Sequence, residues 1–249
     1  VVTTKNHLFS VEFFDLQLRF AKRVSEISGV SLAEAVGTHT NIYVRLGMGP
    51  GLDLANPDWQ DYLSGMATVR EPAEYTHAFH VRRLHVPAGP TLARAVGCFS
   101  YALVGQDLAR LHFNPGERPS ESPLSSENLP LRQRELAALL SELRASSTES
   151  MRIVGASWLY NLRSYRSLFP EPYLAGLQPM PHPYQRMPLW GQFLTRDRRV
   201  RSEARPQFLE GIAKASGLSE LARCFPFSVL TTTSPAKWLY EHVGLQVLQ

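Results

Sequence analysis

The stretch Ala95–Asn114, AVGCFSYALVGQDLARLHFN, constrains the fold more than any other part of the chain. Two apolar runs meet there at Gly105-Gln106-Asp107. Apolar side chains recur at Cys98, Tyr101 and Leu103 and again at Leu108, Leu111 and Phe113, with Arg110 and His112 interleaved. Short apolar runs closed by a glycine-containing turn predict a hairpin, with strands over Ala95–Val104 and Leu108–Phe113. Helical patterns precede this hairpin, and strand and helix patterns alternate after it. The expected class is α/β, with α+β open: a central mixed β-sheet with flanking helices and a helical N-terminal section.

On the N-terminal side, Phe13, Leu16, Phe20, Val24 and Ile27 predict a helix over Phe9–Ser28 that Gly29 ends. Ser31-Leu-Ala-Glu34 has the form of a capping box and predicts a second helix running on to Leu46. Gly47-Met-Gly-Pro-Gly51 reads as its stop. No strand precedes these glycines and no Gly-Lys-Ser/Thr follows, so they do not form a phosphate loop. Pro57–Met66 is a third helix with Asn56 as N-cap, while Thr76–Val86 is ambiguous between strand and loop.

After the hairpin, Pro115–Pro130 is a long loop rich in Pro, Ser, Glu and Asn, and loops of that length are often functional. Leu131–Arg144 is an amphipathic helix. Strands are expected at Met151–Leu159, Leu189–Leu194 and Pro226–Thr231, and helices at Leu162–Leu168, Phe208–Cys224 and Ala236–Val243. Glu171–Pro188 reads as an extended surface connection and Thr195–Arg201 as an Arg-rich turn. With no repeat and no marked shift in composition, residues 1–249 read as a single domain: a helical section over 1–70 and a mixed sheet with helices over 71–249.

At 249 residues, 44% of them hydrophobic, the chain can bury a sizeable core. Its formal net charge of +4 comes mostly from arginine, since Lys5, Lys22, Lys214 and Lys237 are the only lysines. No Lys/Arg block interleaved with aromatics suggests nucleic-acid binding. No apolar run reaches the roughly 20 residues of a membrane span. Cys98 and Cys224, each in an apolar strand-like run, read as free buried thiols of a reducing compartment. With no leader pattern visible, the expected location is cytoplasmic.

The order of elements resembles that of the Gcn5-related acyltransferase (GNAT) family over Thr76–Trp158. The meander would be Thr76–Val86, Ala95–Val104 and Leu108–Phe113, followed by the loop Pro115–Pro130, the helix Leu131–Arg144 and the strand Met151–Trp158. The family's Arg/Gln-x-x-Gly-x-Gly/Ala run is replaced here by Leu129-Pro-Leu-Arg-Gln-Arg134. The resemblance implies an acyltransferase using acetyl-CoA or another acyl-CoA, with Arg132 and Arg134 on its phosphates. Ser234–Gly244 is similar to the family helix whose tyrosine protonates the departing thiolate, which implies that role for Tyr240. Asn161-Leu-Arg-Ser-Tyr165 offers Tyr165 for the same role. The segments GASWLYNLRSYRSLFP, MPLWGQFL and CFPFSVL also resemble segments of widespread bacterial proteins of unassigned function.

Other residues bear on chemistry directly. His112 and Asn114 sit at a strand end beside the long loop, where sites tend to form. His112 titrates near neutrality and suits a general base, and Asn114 is a further cofactor-binding candidate. His77, His80 and His85 lie close in sequence, but His-x-x-His shares a metal only on a helix, and no metal is expected. Ser157 lacks the second glycine of a nucleophile elbow; it or Asn161 suits the N-cap of the next helix. The expected function is acyl transfer to a small amine or related acceptor. The alternatives are a non-catalytic binding protein for a small anionic metabolite or peptide, and a metal-dependent hydrolase around His77, His80 and His112. No nucleic-acid or membrane partner is expected.

Overall fold

The computed structural model describes residues 8–49, 51–84, 94–114, 122–146, 148–180, 188–195 and 197–245. Helices α1 (Val11–Ser28), α2 (Leu32–His39), α3 (Ile42–Arg45), α4 (Pro57–Thr68) and α5 (Pro72–Arg83) come first. Strands β1 (Arg94–Val96), β2 (Phe99–Leu103) and β3 (Leu108–Phe113) follow, then α6 (Leu129–Ala145) and β4 (Arg152–Ser157). A 3-10 turn at Trp158–Asn161 leads into α7 (Arg163–Arg166), α8 (Glu171–Ala175) and the two-residue β5 (Gln178–Pro179). A second 3-10 turn, Pro188–Phe193, precedes α9 (Ala204–Lys214), α10 (Leu218–Arg223), β6 (Leu230–Pro235) and α11 (Ala236–His242). The architecture is mixed α/β, with a six-stranded mixed sheet and flanking helices. No helix among the described residues is long and apolar enough to cross a membrane.

The chain divides into two compact units, Val1–Pro90 with His182–Phe227, and Thr91–Pro181 with Ser228–Gln249. In the first, α1 packs against α2, α5, α9 and α10. It buries Phe13, Phe14, Leu16, Gln17, Leu18, Phe20, Ala21 and Val24, a set too broad for one helix face, as befits a helix enclosed on several sides. Gly29 ends it in the left-handed conformation (φ 76°), its N–H donating to the Ser25 carbonyl. Around Phe20 the rings of Trp190, Phe208 and Phe225 gather at centroid distances of 5.5, 6.0 and 5.2 Å. Asn56 caps α4 as expected, its side chain accepting from the N–H groups of Asp58 and Trp59.

The expected single helix after Ser31 is two helices. Thr40 takes up extended geometry (φ −123°, ψ 174°), and buried polar groups bridge the break. Thr40 Oγ1 donates to the Val36 carbonyl and accepts from Ile42 N–H, while Gln17 Oε1 accepts from Asn41 N–H at 2.8 Å. Gln17→Leu removes the acceptor of a buried amide. The expected cost is about 2 kcal/mol, measured by urea unfolding with an unchanged m-value.

Three further expectations are corrected in this unit. Thr76–Val86 is no strand: Thr76–Arg83 belongs to α5, begun by Pro72 at its first turn, and His85 and Val86 lie outside the described residues. Leu189–Leu194 is no strand: Leu189–Phe193 lies in a 3-10 turn whose Leu189, Trp190 and Phe193 are all buried, and Leu194 makes only an isolated bridge to Val200, so the apolar run marks burial and not strand geometry. Phe208–Cys224 breaks into α9 and α10 around Ser216-Gly217, with Cys224 at the C-cap of α10.

The second unit is a sheet of order β1-β2-β3-β4-β6-β5. The first expected strand divides at Gly97-Cys98. Gly97 has φ 57°, so Val96 pairs with Phe99 across a two-residue hairpin, and Cys98 lies in the turn. The predicted turn at Gly105 stands, giving antiparallel β2/β3 from Phe99↔Phe113 to Leu103↔Ala109. A parallel β3/β4 pair needs a crossover, and α6 supplies it. The final strand begins at Leu230, four residues beyond the expected Pro226, and Pro235 ends it. The expected extended connection Glu171–Pro188 contains α8 and β5; residues 181–187 lie outside the described set.

Phe99 and Tyr101 of β2, Ala109 and Leu111 of β3 and Ile153 of β4 share one face. With Leu136, Leu139, Leu140 and Leu143 of α6 and Leu239 of α11 they form the core. Ser100, Arg110, His112, Val154 and Thr233 alternate onto the other face, which is half-buried to exposed.

Candidate active site at the parting of two strands

Strands β3 and β4 are the one parallel pair among the described strands, and they stop pairing before either ends. Pairing runs from Leu108↔Arg152 to Leu111↔Gly155 and stops there, although β3 continues to Phe113 and β4 to Ser157. Beyond Leu111 the edge of β3 that faced β4 has no ladder partner among the described residues. β2 still pairs with its other edge and β6 with the far edge of β4, so both strands stay extended beside a gap in the ladder between them.

The helix-bearing side of this gap is aromatic. The Phe113 ring lies 5.4 Å from that of Tyr165, edge to face, and Tyr165 lies 5.1 Å from Tyr160. The Tyr160 and Tyr173 hydroxyls hydrogen-bond at 2.7 Å, and Tyr160 also interacts with the Tyr165 hydroxyl. Three phenols thus form a chain under β4. They sit so close to Gly155 that a Cβ at that position would fall on the Tyr160 and Tyr173 hydroxyls. Burial is the largest cause pushing all three phenols above their ordinary range, and each neighbouring ring adds to it for Tyr160. They therefore hold their protons at neutral pH.

His112 stands on the opposite face of β3, across from Ser100 of β2, and is exposed. Desolvation by its neighbours, with the Arg110 guanidinium second, lowers its pKa below the usual imidazole value. The ring is accordingly neutral near pH 7 and able to accept a proton. Asn114 follows, also exposed, its backbone N–H donating to the Cys98 carbonyl at 2.7 Å.

The arginines expected to act together face different ways. Arg132 is buried, pairs with Glu135 at 3.1 Å and contacts the Cys98 sulfur. Glu135 also accepts from Cys98 N–H, and a Cβ on Gly97 would fall on its carboxylate. These side chains clamp the β1–β2 turn to α6. Arg134, two residues on, is exposed on the outside of the helix. At the start of α6, Leu129 N–H donates to the Ser125 carbonyl and Pro130 has no N–H, so few amides remain for an anion. Tyr240 of α11 is buried in the same core as Tyr165.

Other candidates divide similarly. Ser157 is the N-cap of the following 3-10 turn, accepting from Leu159 N–H. Asn161 instead donates to the Trp158 and Ser228 carbonyls. His77 and His80 lie on α5, and among the described residues no group of three or more His, Cys, Asp or Glu side chains is placed to hold a metal ion. Neither Cys98 nor Cys224 is in a disulfide; Cys98 is buried as expected and Cys224 only half-buried, and burial raises the pKa of Cys224, with Glu220 adding to the effect.

The sequence reading missed Tyr160 and Tyr173. The available signal was Gly155, since a lone glycine inside a strand pattern often marks the close approach of another group. No protein-family model, curated protein or solved structure matches the chain, and the site is described by its geometry alone.

Proposed function

We propose that the sheet unit is an acyl-CoA-dependent acyltransferase acting on a small amine or related acceptor, with the acyl-pantetheine arm entering between β3 and β4. The observation that carries this reading is the end of β3/β4 pairing at Leu111↔Gly155 while both strands run on. An extended, amide-bearing arm satisfies such an edge as an added peptide strand does. In the reaction the acceptor nitrogen attacks the thioester carbonyl. A C–N bond forms, the C–S bond breaks, and His112 takes the proton the amine loses. The sulfur leaves as thiolate toward the Tyr165 side of the gap. With its pKa raised, Tyr165 stabilises that thiolate through a donated hydrogen bond, which replaces the proton transfer expected of it. Arg132 is engaged with Glu135, leaving Arg134 and Asn114 for the charged end of the cofactor.

Binding is tested by titrating the protein with acetyl-CoA and desulfo-CoA and following Tm. A saturable rise with both supports the reading; no shift with either overturns it. Because the start of α6 offers few amides, acetyl-pantetheine is expected to bind within about tenfold of acetyl-CoA. For His112→Gln the expected loss in kcat/KM is about 100-fold, with Tm unchanged because the side chain is exposed. The sign of the pH effect follows from the neutral base: wild-type rate falls as pH drops through the His112 pKa, and the variant loses that acid limb.

A further inference from the structure

A second set of groups, all in the helical unit, surrounds the ring of Phe9. The Arg45 guanidinium lies 4.6 Å from its centroid and that of Arg198 5.1 Å. The His80 ring lies 5.6 Å from Phe9 and 5.5 Å from Phe14. Arg45 ends α3, His80 is on α5, and Arg198 belongs to the turn after the second 3-10 segment. Three separate parts of the chain thus bring two guanidinium groups and an imidazole to one ring.

Nothing among the described residues neutralises them. Neither Arg45 nor Arg198 forms an ion pair there, and Arg45 Nε is buried without a partner. Burial, then Arg198, brings the Arg45 pKa down to about 10. His80 is 6% exposed. Its Nδ1 lies 2.8 Å from the Arg45 carbonyl, which can only accept, so Nδ1 carries the proton. The buried Nε2 then has no partner. Desolvation is the main cause lowering the His80 pKa; the Arg45 carbonyl opposes it, and the electrostatic influences of His77, Arg45 and Arg198 all lower it further. Arg198 also holds left-handed backbone geometry (φ 58°), the one described non-glycine residue with positive φ. A side chain with local backbone strain that brings one guanidinium toward another and toward a buried imidazole is a costly arrangement without an anion.

We propose that Arg45, Arg198 and His80 form a binding site for a tetrahedral dianion, the phosphoryl or sulfuryl group of a small molecule, beside Phe9. Two guanidinium forks match its oxygens bidentately. The His80 Nε2, once protonated, donates a third bond. The charge of the cluster suits a dianion better than a single carboxylate. This site is independent of the acyl-transfer reading, and either can fail alone.

The test is calorimetric titration of the whole protein with sodium sulfate and with inorganic phosphate at constant ionic strength, with acetate as the carboxylate arm. Saturable sulfate and phosphate binding, with acetate at least about tenfold weaker, supports the site. Arg198→Asn keeps a residue that tolerates left-handed backbone and is expected to weaken sulfate at least about tenfold. Sulfate stays dianionic across the neutral range, so its pH dependence reports the protein. Bound anion raises the His80 pKa, and by linkage affinity rises as pH falls through that value; His80→Gln flattens the dependence. Absence of saturable binding by either dianion overturns the proposal, as does sulfate affinity unchanged in Arg198→Asn.

Discussion

Gly155→Ala is expected to destabilise the sheet unit by about 3 kcal/mol, the upper range for forcing atoms into a filled interior. The added methyl falls on the Tyr160 and Tyr173 hydroxyls. Neither can swing away cheaply. Tyr160 is 1% exposed, Tyr173 is fully buried, and Thr232 Oγ1 donates to the Tyr173 carbonyl at 2.9 Å. Relief has to come from a shift of β4 or of the two rings, and either disturbs the terminal β3/β4 pair, Leu111↔Gly155, to which the glycine belongs. Thermal unfolding of the variant, followed by near-UV circular dichroism of the tyrosines, measures the loss. In a double-mutant cycle Tyr160→Phe removes one of the two clashing atoms, so its cost and that of Gly155→Ala are expected to be less than additive. Strict additivity would mean that the hydroxyl contact does not set the requirement for glycine.

Phe20→Ala is expected to cost about 4 kcal/mol, as for other fully buried phenylalanines. Phe20 belongs to α1, yet its ring neighbours Trp190, Phe208 and Phe225 all come from the later segment of the same unit. The cavity is lined by rigid rings that pack edge to face on one another, Phe208 on Phe225 at 5.1 Å and Trp190 on Phe225 at 5.2 Å, so collapse recovers little. Urea unfolding followed by tryptophan fluorescence measures the change. A loss below about 1 kcal/mol would show that the segments are held together elsewhere.

Sequence patterns read the local elements well where caps and periodicity agreed. The left-handed Gly29 after α1 and the Asn56 cap of α4 are both visible as residue types in the right place. Periodicity failed where burial was complete. Leu189–Phe193 is mostly apolar because Leu189, Trp190 and Phe193 are all enclosed, and that pattern does not distinguish a strand from a 3-10 turn. Thr76–Arg83 misled in another way: His, Arg and Val alternate there without a clear apolar stripe, and the stronger signal was Pro72 just inside the helix start. His112 was legible as a strand-end histidine. The phenol chain was not, because Tyr165, Tyr160 and Tyr173 reach one another only after α7, α8 and the 3-10 turn fold back on β4. Arg45 and Arg198 are 153 positions apart, beyond any local pattern.

Strand β6 is drawn from the far end of the chain, yet it lies between β4 and β5. During synthesis from the N-terminus, β1 through β4 can pair as soon as they emerge, but β4 keeps an open edge and β5 has no neighbour at all. That edge stays open while all of His182–Phe227 is made, a stretch that goes to the other unit. Unpaired strand edges recruit other chains. A ribosome stalled near Phe227 would therefore hold the helical unit with all its segments delivered and the sheet still missing a middle strand. The hazard of mispairing is concentrated in that interval, and arrival of Leu230–Pro235 ends it.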